Sequence, residues 1–458
     1  MKVYAFPHGG IHFTDPTAPP RKESVVAFLP VLSVIPLIQH AGAKALPLVL
    51  AGASVREGML IGRAQGRGSA HIHAAVPGQV VRMVSWEMAK GVTNEGFIIR
   101  LGGSFEQLGK PEERFSWEGL APREIQQRII HCGIVEMEGS GRPLEDLFAS
   151  LNKPREPETP EPLTLVVRCV FDDPWLVADY VLCRERAAAV VEGSIILGRA
   201  CMASRIIYAV SAREKDLGTM LLAEAQSYAI PASLVLVSSR YPQRNARELE
   251  LALRSYEKHE IQEKGEKGEN LERLALGSLV IQGPATLAAV RDALVLQRPI
   301  LDRYVAVGGS AVKKPQVMKV RIGTRIGDIF AECGGFTGEP QKIILGSPLS
   351  GRRVFEKNLD EPVIKTSYAL GALLAKQTGG RVIRNCIGCG ECRAVCPVGL
   401  DPEALFKGIV FCKEKTKETH KEIIEKAVEC HGCGCCDLVC PSRLSLSTAF
   451  VNAVLEDQ

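Results

Sequence analysis

Short apolar runs separated by glycine turns dominate the first hundred residues. Residues 53–62 and 71–81 alternate short apolar segments with polar positions, and glycines at 58, 62 and 78 fall between them. Short runs of this kind, bounded by glycine turns, are typical of β-strands. The pattern therefore predicts a β-domain over residues 1–105.

The pattern changes to α/β over residues 115–300. Two segments with helical periodicity, 123–130 and 184–197, alternate with apolar segments of strand length at 163–170, 205–210 and 233–237. Residues 255–273 are heavily charged and contain two glycines, so a solvated loop is favoured there over a binding patch.

A smaller unit is predicted over residues 301–352. Apolar strands at 303–309 and 317–322, a turn at Gly323 and a helix at 326–333 follow one another closely, which suggests a β-grasp domain. A fourth domain, 378–450, contains predicted helices at 402–411 and 415–429. The whole chain is thus predicted to be a multidomain α/β protein.

Eight cysteines in this last domain form two copies of one spacing. Each copy reads C-x2-C-x2-C-x3-C-P, which is the ferredoxin pattern for two [4Fe-4S] clusters. The first three cysteines of a copy wrap one cluster, and the fourth, before proline, ligates the other cluster. The rule assigns one cluster to Cys386, Cys389, Cys392 and Cys440, and the second to Cys396, Cys430, Cys433 and Cys436.

Other uses of these residues are disfavoured. Zinc sites usually show two C-x2-C pairs rather than four cysteines ending in proline, and disulfides are densest in small secreted domains. Cys435 is interpreted as a spare thiol that could compete for the second cluster. The scattered cysteines are interpreted as small buried hydrophobes: Cys132, Cys169, Cys183, Cys201 and Cys333. A histidine metal site is disfavoured against turn and surface histidines at His8, His12, His71 and His73.

Composition narrows the function classes. The 458 residues are 46% hydrophobic, enough for roughly three domains of about 150 residues. Net charge is +4 with both signs interspersed and aromatic content is 5%, so no nucleic-acid partner is indicated. The longest apolar stretch, 25–38, is interrupted by two prolines and is shorter than the about 20 residues of a membrane helix. The sequence predicts a soluble or peripheral protein of a reducing cytoplasm.

The order of these parts, with three local motifs, resembles the RnfC family. The motifs are GGIHF at 9–13, VKKP at 312–315 and RIGT at 321–324, and the resemblance covers nearly the whole chain. It implies a barrel-sandwich N-terminal module, an α/β domain like the flavoprotein subunit of respiratory complex I, an SLBB-like β-grasp domain and a two-cluster ferredoxin-like helical domain.

RnfC is the membrane-associated subunit of the Rnf complex, which couples electron flow between NADH and ferredoxin to ion transport. The resemblance therefore implies FMN and NADH as ligands and the membrane and ferredoxin-like subunits of an Rnf-type complex as partners. It also implies a peripheral position on the cytoplasmic face of the cell membrane. The two [4Fe-4S] clusters would conduct the electrons.

The flavin loop departs from the family pattern. The family reads roughly GIVGMGGAGFPT, whereas residues 133–144 read GIVEMEGSGRPL, retaining Gly133, Gly139 and Gly141 but carrying Glu136 and Glu138 in place of glycines. Bare glycines let the backbone approach a phosphate, and carboxylates repel it. Loops 168–175 and 241–247 also depart from the family pattern. FMN and NADH binding are therefore doubtful.

Three functional hypotheses follow from these observations. The first is an electron-transfer subunit with a working flavin and nucleotide site. The second is a conduit or assembly subunit without its own flavin or NADH site, which the altered loop favours. The third is a free-standing soluble reductase unconnected to a membrane complex.

Overall fold

The structure is a computed structural model. It describes residues 2–89, 92–152, 162–228, 230–264, 275–354, 357–375, 383–410 and 417–457. No helix in these ranges is long and apolar enough to cross a lipid bilayer.

The strands within the described residues are numbered in chain order. They are β1 (Val3–Tyr4), β2 (Val25–Val26), β3 (Leu32–Pro36), β4 (Leu46–Pro47), β5 (Ser54–Val55), β6 (Leu60–Arg63), β7 (Ile72–His73), β8 (Gly78–Ala89), β9 (Val92–Leu101), β10 (Leu163–Cys169), β11 (Arg205–Ser211), β12 (Ala232–Val237), β13 (Ser278–Gln282), β14 (Asp302–Gly308), β15 (Gln316–Arg321), β16 (Lys342–Leu345), β17 (Arg352–Arg353) and β18 (Ala369–Leu373).

The α-helices in the same ranges are numbered likewise. They are α1 (Pro122–His131), α2 (Leu144–Leu151), α3 (Val177–Glu185), α4 (Ala187–Ala200), α5 (Lys215–Ala225), α6 (Ala246–Lys264), α7 (Pro284–Val295), α8 (Ile326–Glu332), α9 (Glu391–Ala394), α10 (Pro402–Val410), α11 (Lys417–Val428), α12 (Cys435–Val439) and α13 (Leu446–Asp457). Single 3-10 turns precede α3 and α5.

The barrel-sandwich consists of two small antiparallel sheets, ordered β3-β9-β8-β5 and β4-β6-β7. Its core contains Ile35, Ile61, Ile72 and Phe97, all nearly inaccessible to solvent. Gly96 allows β3 and β9 to approach closely, because a Cβ there would lie 2.5 Å from the carbonyl oxygen of Ile35.

The second domain is a parallel sheet ordered β1-β12-β11-β10-β13, with helices on both faces. Strand β11 pairs with both β10 and β12, so it lies at the centre of the sheet. One face packs against α4, α5 and α7, and the other packs against α6 through Leu249, Ala252 and Leu253.

Two expectations for this domain were wrong in detail. The helix predicted over 184–197 is two helices, α3 and α4, and the chain bends between them at Arg186. The loop predicted from residue 255 is helical as far as Lys264, because α6 buries one apolar face and exposes its charges. The remainder of that predicted loop, 265–273, lies outside the described residues.

The β-grasp sheet has the order β17-β16-β18-β14-β15-β2. Strands β14 and β15, at the two predicted strand positions, form an antiparallel pair, and α8 covers the sheet through Ile326, Ile329 and Phe330. The first 26 residues contribute to two other domains, since β1 pairs with β12 and β2 pairs with β15. The domain boundaries given above remain predictions.

The last domain is helical. Helices α10, α11 and α13 pack around Leu405, Ala427, Leu446 and Phe450. The short helices α9 and α12 each begin directly after a left-handed glycine, Gly390 and Gly434. The two cysteine motifs therefore share a local structure as well as a spacing.

Candidate functional site: two cysteine cavities and a filled glycine loop

The eight predicted ligands separate into two cavities. One is lined by Cys386, Cys389, Cys392 and Cys440, and we call it cavity A. The other is lined by Cys396, Cys430, Cys433 and Cys436, and we call it cavity B. Each cavity therefore combines three cysteines of one motif with the fourth cysteine of the other motif.

Glycines shape the loops around both cavities in the same way. Gly388 and Gly390 adopt φ of +66° and +76°, and Gly432 and Gly434 adopt +63° and +77°. Side chains rarely adopt these angles, so glycine permits the tight turns between ligands. The turns point backbone N–H groups at sulfur: Gly388 to Cys386 and Gly432 to Cys430, each at 3.5 Å. Hydrogen bonds to the sulfurs of a cluster tune its reduction potential.

Cys435 lies beside the ligands of cavity B as a ninth thiol. It lines the cavity and is fully buried. Its thiol hydrogen bond lowers the pKa of Cys433 to about 7, which favours the thiolate that binds metal. Cys435 therefore supports a neighbouring cysteine, an interaction that the sequence pattern did not indicate.

Cavity B is packed against the rest of the protein. The Tyr241 hydroxyl donates to the carbonyl of Cys433 at 2.7 Å, and the Gly10 N–H donates to the carbonyl of Val395 at 2.8 Å. His431, next to Cys430, pairs with the fully buried Glu248 at 3.1 Å, and this pairing raises the pKa of His431. Tyr241 and Glu248 thus hold the second motif, and the N-terminal loop holds the end of the first motif, against the parallel-sheet domain.

The three retained glycines of residues 133–141 contact protein rather than open space. A Cβ at Gly133, which has φ of +64°, would overlap the carbonyl of His71. A Cβ at Gly141 would lie 3.1 Å from Thr366, and its carbonyl accepts from the Ala41 N–H at 2.9 Å. A Cβ at Gly139 would lie 3.7 Å from the Arg168 guanidinium. Gly133 and Gly141 therefore pack the loop against other domains.

The carboxylate of Glu138 sits on the N-terminus of helix α7. It accepts from the Ala285 N–H, from the Thr286 N–H at 3.0 Å and from the Thr286 hydroxyl at 2.6 Å. Backbone N–H groups at a helix N-terminus bind anions, phosphate included. A side chain of the protein itself thus takes the donors that a phosphate would need. A Cβ at Gly283 would overlap this carboxylate.

Buried charges fill the surrounding space. Arg168 and Arg244 donate to the carbonyl of Glu138 at 3.0 and 2.8 Å, and Arg244 lies 3.6 Å from Asp179. Burial lowers the pKa of Arg168 to about 10 and raises the pKa of Asp172 to about 7. FMN does not fit the loop in this arrangement, because its phosphate would compete with the Glu138 carboxylate for the donors at the start of α7.

Sequence reasoning noted the altered loops but missed that they contact one another. Arg168 and Arg244 come from the two other loops that depart from the family pattern, and both donate to the backbone carbonyl of Glu138 in the flavin loop. Because the acceptor is a backbone group, no residue type in the sequence signals this contact. Glu248, which sits at the start of α6, carried no sequence signal of its contact with the second motif.

The remaining residues singled out from the sequence have simpler positions. The five scattered cysteines are buried, as predicted. The description of His73 as a turn or surface residue was wrong, because it is buried and stacks edge-on with His71 and His131 at ring distances of 6.5 Å. Burial lowers the pKa of His73 well below its usual range, which keeps the ring neutral.

Comparison with known protein families finds four domains in the same order along the chain as in the structure. Residues 5–104 match the RnfC barrel sandwich hybrid domain, and residues 129–292 match the Nuo51 FMN-binding domain. Residues 304–356 match the NQRA C-terminal domain, an SLBB domain, and residues 382–444 match the 4Fe-4S dicluster domain. The last match, with the two cysteine cavities, establishes two [4Fe-4S] clusters as cofactors of the chain.

Curated relatives extend over most of the chain. The C subunit of the ion-translocating oxidoreductase complex of Rhodobacter capsulatus is 31% identical over 379 residues, covering 82% of this chain and 69% of the relative. The C subunit of the proton-translocating ferredoxin:NAD(+) oxidoreductase complex of Clostridium ljungdahlii is 28% identical, covering 90% and 86%. The C subunit of the Na(+)-translocating ferredoxin:NAD(+) oxidoreductase complex of Acetobacterium woodii is 26% identical, covering 86% and 85%. The chain therefore belongs to the RnfC family, the C subunits of ion-translocating oxidoreductase complexes.

Proposed function

We propose that this protein is the electron-transfer subunit of a membrane-bound Rnf-type complex, which exchanges electrons between NADH and ferredoxin and couples the exchange to ion transport. The separation of eight cysteines into two cavities carries the proposal. A [4Fe-4S] cluster supplies one-electron transfer at a potential that its surroundings set. The chemistry of the chain is therefore conduction rather than acid–base catalysis.

The ligand assignment follows the cavities. Cys386, Cys389, Cys392 and Cys440 hold the cluster in cavity A, and Cys396, Cys430, Cys433 and Cys436 hold the cluster in cavity B. Leu444 and Leu446 help to exclude water from cavity A, and Phe450 does so in cavity B. Such apolar lining, with the N–H donors to sulfur, contributes to the potential.

Within the complex, the protein acts as a conduit that receives its electrons from a partner. The occupation of the α7 N-terminus by Glu138 supports this form of the proposal over one with a resident flavin. The opposing observation is the match of residues 129–292 to an FMN-binding domain. The second candidate function is therefore an electron-transfer subunit that binds flavin and NADH itself.

The proposed assembly is peripheral. The relatives are named as subunits of ion-translocating complexes, which supports partnership with the membrane and ferredoxin-like subunits of such a complex. We place the protein on the cytoplasmic face of the membrane, with four domains at 1–105, 115–300, 301–352 and 378–450. Isolation without membrane subunits from mildly solubilised membranes would instead favour a free-standing reductase.

One spectroscopic experiment separates the two candidates. The protein is purified anaerobically, and its visible spectrum is recorded oxidised, then with NADH, and finally with dithionite. We expect bleaching with dithionite only and no flavin in the acid extract. Bleaching by NADH would establish a working nucleotide and flavin route and refute the conduit form.

A further inference from the structure

Exposed apolar side chains and positive charge are both concentrated in the first part of the chain. Nine of the nineteen large apolar side chains that are exposed among the described residues lie between residues 25 and 83. Residues 1–105 contain ten Lys and Arg and five Asp and Glu, a net charge of +5, whereas the whole chain has a net charge of +4. The barrel-sandwich therefore differs from the rest of the protein in both properties.

Five of these apolar side chains form one surface, which we call the apolar ridge: Leu46, Leu48, Leu50, Val81 and Met83. Residues 45–50 alternate between the two faces of β4 and its extension, with Ala45 buried and Val49 packed against the core. The outward positions of a strand with one solvated face are usually polar. Here they are leucines, and Leu50 is 82% exposed.

Strand β8 lies directly beside this segment. The Gly52 N–H donates to the carbonyl of Val80 at 2.7 Å, and the Val80 N–H donates to the carbonyl of Ala53 at 2.9 Å. The turn that follows Leu50 thus meets β8 immediately before the two apolar residues that β8 contributes to the ridge. In the described part of the chain β4 pairs with β6 alone, so it is an edge strand with no further strand beside it.

Two cations adjoin the apolar ridge. Arg63 is the register partner of Leu46, and Arg82 lies between Val81 and Met83 on β8. Both arginines are exposed, and neither forms an ion pair with another described side chain.

The nearby carboxylates do not cancel this charge. Three of the five in residues 1–105 have partners elsewhere: Glu95 with Lys44, Glu57 with Arg321 and Asp15 with the Trp175 indole. Glu23 precedes β2, which belongs to the β-grasp sheet, and the side chain of Glu87 lies outside the described residues. Asp146 on α2 accepts from the Gly68 N–H at 3.0 Å, where Arg67 adjoins it in sequence. Among the described side chains, the uncompensated charge at the ridge is thus positive.

We propose that the apolar ridge binds directly to the surface of an anionic lipid bilayer. This inference rests on the proposed peripheral position of the protein and adds that lipid, as well as partner subunits, holds it at the membrane. The apolar side chains enter the boundary between headgroups and acyl chains, while Arg63 and Arg82 stay at the level of the headgroups. Anionic lipids give the cytoplasmic leaflet a negative surface potential, so each cation near that surface favours binding.

Vesicle sedimentation of the purified holoprotein tests the proposal, with equal iron content in every preparation. The probes are protein-free vesicles of phosphatidylcholine alone and of phosphatidylcholine with phosphatidylglycerol. The variants are Leu48→Ser with Leu50→Ser, and separately Arg63→Glu with Arg82→Glu. The matched apolar control is Phe28→Ser with Val31→Ser, which are 79% and 74% exposed and precede β3 at the opposite edge of the sheet. The matched charge control is Arg123→Glu with Arg213→Glu, two exposed arginines of the second domain.

We expect the wild type to bind the anionic vesicles and to bind the neutral vesicles about tenfold or more weakly. Each ridge variant should bind the anionic vesicles about tenfold or more weakly than the wild type does, because it loses buried apolar area or headgroup attraction. Added salt should weaken wild-type binding more than that of the arginine variant. Both control variants should bind as the wild type does.

Failure of the wild type to bind the anionic vesicles would refute the proposal. If that protein still sediments with membranes that contain the other subunits, the ridge or another surface binds protein, and the proposed function stands. Equal losses in the ridge variants and their matched controls would also refute the ridge as the binding surface. A wild-type dimer that the leucine variant converts to a monomer would assign the ridge to a second copy. Wild-type protein without clusters would instead refute the proposed function, whatever its affinity for vesicles.

Discussion

The contact between Glu138 and helix α7 gives a quantitative prediction for Glu138→Ala. The substitution removes three hydrogen bonds to a buried carboxylate at a helix N-terminus. Loss of a helix cap costs about 1 kcal/mol, and hydrogen bonds to a charged group contribute about 1.5–3 kcal/mol each before the cavity is counted. Because these contributions overlap, we expect local stability at the start of α7 to fall by about 3 kcal/mol.

Hydrogen–deuterium exchange read by mass spectrometry is the suitable assay, since a protein of several domains has no single unfolding free energy. Peptides covering the start of α7 should exchange roughly two orders of magnitude faster in Glu138→Ala, because about 1.4 kcal/mol corresponds to tenfold. The control is Glu136→Ala, whose carboxylate contacts the exposed Ser140 and lies 3.3 Å from Gln282. This control should change the same peptides little.

The vacated helix N-terminus should then bind anions. Inorganic phosphate or FMN is expected to restore part of the protection in Glu138→Ala and in the double variant Glu136→Gly/Glu138→Gly. Gly283→Ala provides an independent route, because its methyl group would displace the carboxylate while Glu138 is retained. Wild-type protection that is unaffected by the loss of Glu138 would refute the capping role. Wild-type protein that binds FMN tightly would refute the argument that the site is filled.

Three further predictions concern the clusters, the buried charges and the barrel-sandwich. Cys392→Ala and Cys440→Ala should lose the same EPR signal, although the two residues lie in different motifs. Cys436→Ala and Cys396→Ala should lose the other signal, and Cys435→Ala should keep both. If cysteines of the same motif instead lost the same signal, the crossed assignment would be refuted. Burial raises the pKa of Asp172 to about 7, so above about pH 4 the folded state still holds a proton that the unfolded state has released. The free energy of unfolding should therefore fall as pH rises from 4 to 7, by an amount on the order of 4 kcal/mol. Asp172→Asn should flatten that dependence in exchange measurements on neighbouring peptides, and an unchanged slope would contradict the burial argument. Gly96→Ala should destabilise the barrel-sandwich by about 1–3 kcal/mol, because the methyl group would meet the Ile35 carbonyl, whereas Gly102→Ala faces open space and should not. Equal hydrogen exchange of barrel-sandwich peptides in the two variants would contradict this account.

The cluster domain was the most predictable part of the chain. Its spacing carries the chemistry directly, because the thiolates must converge on one cluster and the turns between them need glycine. The crossed grouping of Cys440 with Cys392 could thus be predicted from the spacing alone. The β-rich first domain and the α/β character of the second domain were also predictable, because short strands between glycine turns and alternating helix and strand segments differ in hydrophobic period.

Contacts that join distant segments were less predictable. The charges of 255–264 read as a loop because the apolar residues Leu249, Ala252 and Leu253 that anchor α6 come before them in the sequence. The break between α3 and α4 falls at Arg186, whose ion pair with Asp292 at 2.7 Å joins residues more than 100 positions apart and is not visible in the local periodicity. Likewise, Glu138 reads as a repulsive charge in sequence, and its positive partner is the end of a helix nearly 150 residues later.

The filled loop explains why a flavoprotein-like domain can persist in a subunit proposed to have no flavin. The same domain provides Tyr241 and Glu248, which hold the second cysteine motif, and it provides the parallel sheet to which the N-terminal strand β1 is added. Buried arginines without partners would cost several kcal/mol, and here Arg168 and Arg244 both donate to the backbone carbonyl of residue 138. The Glu138 carboxylate separately satisfies the donors at the start of α7. The loop is therefore held through its backbone and through this side chain without a flavin, which leaves the domain able to position the clusters.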